Sequence, residues 1–211
     1  MLNYNKIAGK NTQRIEAISD GVFAVAMTLL VLDIKVPATE SIQTETELAH
    51  SFFALMPKFL VYFLSFMTVG IFWTGQSTQF KYIEKSDRNL NWITLLFLLC
   101  VSLLPFSTAF LSEHINYKFA IAVYWFNILL LGLTLYINWQ YAVKRNFIAV
   151  ENSSGKEAIS SAITQRIFIA QSLYLLGALL CFVNPFLSIA FIIAVQINYA
   201  FGIISGRQSK K

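Results

Sequence analysis

The chain has 211 residues, of which 56% are apolar and 13% charged, with a formal net charge of +5. Soluble domains carry about a quarter charged residues, so the composition reads as an all-α integral membrane protein without a separate soluble domain, and function must lie within the bilayer. The positive balance reflects loop topology rather than nucleic-acid binding.

The opening MLNYNKIAGKNTQR is polar and basic, unlike a cleavable signal, and residues 1–15 read as a cytoplasmic segment. Apolar runs of about 17 to 25 residues then predict six spans within residues 16–206: Glu16 to Val36, Phe52 to Trp73, Leu90 to Leu111, Tyr117 to Tyr141, Ile163 to Val183, and Phe186 to Ile204. The second is expected to continue as helix through the polar TGQSTQF. Pro57 suits a helix start, Pro105 predicts a kink in the third span, and Asn184-Pro185 predicts a tight turn. ENSSGKEAISS reads as a polar connector that can include a helix start, and residues 207–211 as a basic cytoplasmic tail.

With six spans, all Lys and Arg residues except Lys35, Lys58 and Lys118 fall on the side holding both termini. That bias predicts cytoplasmic termini and a multi-pass protein of the plasma (inner) membrane. Asp33 stands at the outer end of the first span, where a carboxylate would concentrate cations at a mouth. Glu40, Glu45 and Glu47 read as solvated loop charges.

The first span carries polar residues that need a reason. At about 100° per residue, Gly21, Val25, Thr28 and Leu32 share one narrow face, with Ile18 and Leu29 on its shoulder. Ser19 and Asp20 point away from that stripe on either side, and a carboxylate facing lipid would cost several kcal/mol. Asp20 therefore needs partners in protein, and beside Arg14 it reads as half of an ion pair. Trp73 and Gln76 end the second span at the same depth, so Arg14, Ser19, Asp20, Trp73 and Gln76 form a candidate network bracing the first helix.

RIEAISD, with Arg14, Ser19 and Asp20 in register, resembles the R-x-x-x-F-S-D signature of the transmembrane protein 175 family, Ile18 replacing the Phe. The resemblance continues through TLLVLDIKVP, PKFLVYFLSFMTVGIFW and LNWITLLFLLCVSLLPFSTAF. It implies a homotetramer of six-helix subunits and a potassium-preferring channel whose central pore is lined by the first helix. Val25, Thr28 and Leu32 would then be successive pore layers, Gly21 and Leu29 the pore shoulder, and potassium the permeant ion with no resident cofactor or metal. Family members carry histidine-containing polar residues after the matching Trp. Gln76 and Gln79 stand there in this chain, which leaves proton-linked behaviour open.

No TVGYG filter occurs, so selectivity must come from apolar rings and Thr28. His50 and His114 are isolated, Cys100 and Cys181 lie in apolar runs, and Asp20 is the lone deep carboxylate, so an enzyme is excluded. Asn127, Asn138, Gln140, Gln171, Gln196 and Asn198 read as interhelical contacts. Two other readings are open from these residues: a secondary transporter or proton carrier, which would want repeated halves and broken helices, and a non-conducting bundle.

Overall fold

A computed structural model describes residues 11–38, 42–149 and 153–201. Residues 1–10 of the expected cytoplasmic segment, Glu40 and the basic tail over 207–211 lie outside them. The described chain is all-α apart from one bridge, with six membrane-associated helical units, five of them long and apolar enough to cross a bilayer and the sixth a shorter apolar helix.

Helix α1, Thr12–Leu29, starts at Asn11, whose side chain accepts from the Arg14 N–H at 3.2 Å. It tightens into a 3₁₀ turn over Leu30–Asp33 and ends in extended backbone at Ile34. Residues Ile34 to Val36, expected to be part of the span, are therefore not helical, and Pro37 disfavours helix at the residue before it. A short helix α2, Glu45–Phe53, opens on a capping box in which Thr44 and Glu47 satisfy each other's backbone donors. Phe52, expected in the second span, belongs to α2. The span itself is α3, Met56–Phe80, with Pro57 in its first turn and the polar TGQSTQF in its last two.

The third span is broken into α4, Arg88–Ser102, and α5, Leu104–Glu113, at the residue before the Leu104-Pro105 pair. A break in a membrane helix frees backbone groups that must find partners in protein. The Asn127 side chain supplies them: with its amide turned to satisfy both ends, it donates to the Cys100 carbonyl at 3.1 Å and accepts from the Leu104 N–H at 3.2 Å. Asn127→Leu strands both groups. The expected cost is about 2–3 kcal/mol, read as a lower unfolding temperature of the purified protein in detergent.

Helix α6, Lys118–Lys144, is the central element, packed against α4, α5 and α7. Helix α7, Ser153–Leu179, begins ten residues before the predicted start at Ile163, so most of the expected connector is helical. After a 3₁₀ turn over Leu180–Phe182, Asn184 caps α8, Pro185–Phe201, by accepting from the Phe186 N–H at 2.8 Å. Asn146, at φ 55°, turns the chain after α6 so that Ile148 bridges to Ile83.

Buried hydroxyls and amides tie the bundle together at mid-depth. The Tyr124 hydroxyl lies 2.9 Å from Thr68 Oγ1 and accepts from Ser65 Oγ at 3.3 Å, and Gln196 of α8 donates to Thr68 Oγ1 at 2.6 Å. Helix α1 stands at the edge, packed on α3 and α4. Ile15, Ser19, Phe23, Ala26 and Leu30, spaced three or four apart, turn inward.

Candidate permeation face on the first helix

The inward stripe of α1 leaves the opposite side uncovered. Val25 is 56% exposed and Leu32 69%, with Thr28 and Leu29 exposed between them, Gly21 exposed a turn before Val25 and Ile18 on the flank. Beyond its own helix and chain neighbours, nothing lies within 4 Å of where a Cβ at Gly21 would stand, so the face is open at that level. The five residues placed on a pore face or its shoulder thus share one free surface of the subunit.

The polar residues fall on either side of it. Ser19 is buried and donates back to the Ile15 carbonyl at 2.8 Å. Asp20 stays exposed in the subunit and accepts from Trp73 Nε1 at 2.9 Å. The indole therefore replaces the cation expected to pair with Asp20. Arg14 is exposed, and the only ion pair among the described residues is Lys58 with Glu113. Gln76 is buried with its Nε2 unpartnered among the described residues, so it is near the pair in depth without joining it. Asp33 sits half-buried at the end of the 3₁₀ turn, at the opposite end of α1 from Asp20.

Thr28 donates its hydroxyl proton to its own helix, to the Val25 carbonyl at 2.9 Å and the Ala24 carbonyl at 3.1 Å. The oxygen lone pairs then face outward, and an outward oxygen can accept from water or contact a cation. Sequence reasoning missed the interior network, because Ser65 and Thr68 are short hydroxyl residues inside an apolar run. Gln196 was the visible signal, an amide with no other reason to be in the last span.

A multi-pass α-helical membrane protein with one helix presenting an open apolar stripe with a central hydroxyl is what fold and site define together. A model of the endosomal/lysosomal potassium channel TMEM175 family matches residues 14–105. A potassium channel of Chamaesiphon minutus is 31% identical over 192 residues, covering 90% of this chain and 93% of that protein. A potassium channel of a Chryseobacterium species is 31% identical over 181 residues, covering 84% and 86%. The crystal structure of a lysosomal potassium-selective channel TMEM175 homolog from Chamaesiphon minutus superposes with a TM-score of 0.78 at 30% identity, over 90% of this chain and 96% of that one. The chain belongs to the TMEM175 family.

Proposed function

We propose that this protein is a potassium-preferring cation channel, a homotetramer in which the open faces of four α1 helices converge on a central pore. The observation that carries the reading is the uncovered Val25-Thr28-Leu32 face on a helix otherwise packed into its own subunit. Relatives described as potassium channels match most of the chain and support it.

Rings of Val25 and Leu32 form constrictions that water leaves readily, and such a pore penalises ions that hold their hydration tightly. Potassium sheds water more easily than sodium. Thr28 lies between the two rings with its proton already committed to the backbone, so four oxygens offer partial replacement for lost water. Asp33 would concentrate cations at the outer mouth. Both termini face the cytoplasm in this reading, in a plasma membrane, which the Lys and Arg bias supports.

The test is potassium flux into liposomes carrying the purified protein, driven by a potassium gradient alone. Thr28→Ala is expected to lower the potassium-over-sodium ratio several-fold while flux persists. An unchanged ratio removes Thr28 from the selectivity step, and no flux from the unmodified protein overturns the channel reading.

A further inference from the structure

A second site lies away from α1. Helices α3, α6, α7 and α8 line a partly open cavity of about 90 Å³. Its floor is apolar, with Phe72, Leu135 and Tyr174 buried. Its rim is polar: Thr74, Thr78 and Arg166 line it and are exposed.

Three observations point to what the cavity takes. First, Arg166 pairs with no carboxylate among the described residues; its guanidinium sits 5.4 Å from the centre of the Tyr199 ring, which holds the side chain at the cavity. Second, the walls carry a buried polar atom without a hydrogen bond among the described residues, Gln171 Oε1, and the buried Tyr174 hydroxyl lies beside Gln196 and Thr68. Third, the cavity reaches in where Gly75 of α3 leaves out a side chain. A Cβ at Gly75 would only touch Leu135 Cδ2, at 3.4 Å, so a side chain there has room to enter the cavity, whereas the space beside Gly132 is already taken by the Gln171 amide, whose Nε2 lies 1.8 Å from where a Cβ would stand. Thr74 and Thr78 belong to the last two turns of α3, so the rim lies near one membrane surface while the floor faces hydrocarbon depth.

We propose that this cavity binds an anionic phospholipid, its acyl chain on the apolar floor and its phosphodiester on Arg166. An apolar hollow at membrane depth suits a hydrocarbon tail, and a basic group between helices at its surface end suits a phosphate. A zwitterionic lipid satisfies the floor without the charge preference, and a neighbouring subunit covering the cavity would leave no lipid preference.

Native mass spectrometry of the delipidated full-length protein, with added phosphatidylglycerol or phosphatidylcholine, tests this without any flux measurement. It is therefore independent of the permeation reading. The unmodified protein is expected to retain phosphatidylglycerol over phosphatidylcholine by about fivefold, the size of one Arg–anionic lipid contact. Arg166→Gln should abolish that preference, and Gly75→Leu, which fills the cavity, should lower retention of the lipid itself. Equal retention of the two lipids by the unmodified protein overturns the proposal, as does an unchanged preference in Arg166→Gln. If Arg166→Gln does not fold, Gly75→Leu decides, and unchanged retention there overturns the proposal.

Discussion

Val25→Trp is expected to reduce potassium flux to the level of empty liposomes, and Leu32→Ser to raise it about tenfold. Both residues stand on the open side of α1, with Val25 56% and Leu32 69% exposed, so neither substitution disturbs the packing of a single subunit. Four indoles at one level of a narrow pore leave no passage. Four serines replace a ring that repels water with one that keeps it, and a tenfold rise corresponds to a barrier lower by ~1.4 kcal/mol. The two variants must move in opposite directions. If both leave flux unchanged while the protein stays folded, this side of α1 faces lipid and the pore lies elsewhere.

Asp20→Ala is expected to cost the assembly more than any substitution on the pore face. Its carboxylate accepts from the Trp73 indole across α1 and α3 at 2.9 Å. Hydrogen bonds to a charged group contribute about 1.5–3 kcal/mol each, and a subunit that loses this one frees the N-terminal half of α1 from α3. In a tetramer the loss is repeated four times, so the oligomer should shift toward smaller species on size exclusion. Trp73→Phe should do as much or more, because it leaves Asp20 charged and unpaired at the membrane edge. The double variant should be less damaging than the sum of the two, the sign of a direct contact. A stable Asp20→Ala tetramer that conducts less would move Asp20 from bracing into the ion pathway.

How far these features were legible depended on whether a residue announced itself by type and spacing. The six units follow from apolar runs bounded by charge, and Pro57 and Pro105 act where their missing N–H requires. The start of α7 did not, because Ser153 to Ala162 is polar enough to read as a connector, whereas helix extending out of the bilayer needs no apolar face. Asp20 was visible as a lone acid in an apolar run. Trp73 of the expected network does meet it, whereas the ion pair expected from the nearness of Arg14 in sequence does not form among the described residues. The Arg166 cavity left no sequence signal, since its lining is drawn from four separate helices. The face of α1 was the most readable part, for the same stripe is generated by helical geometry and by the family resemblance. In the proposed tetramer what meets that face belongs to another chain, and no single chain can encode it visibly.

The mending of the broken third span by Asn127 bears on how the protein is made. Ribosomes deliver α4 and α5 before α6, so for an interval the Cys100 carbonyl and the Leu104 amide have no amide to close the gap. An open backbone group in hydrocarbon costs several kcal/mol, enough to hold the nascent segment at the translocon until its successor arrives. The third and fourth spans are then expected to leave that channel together as a hairpin, with Asn127 as the clasp that closes them.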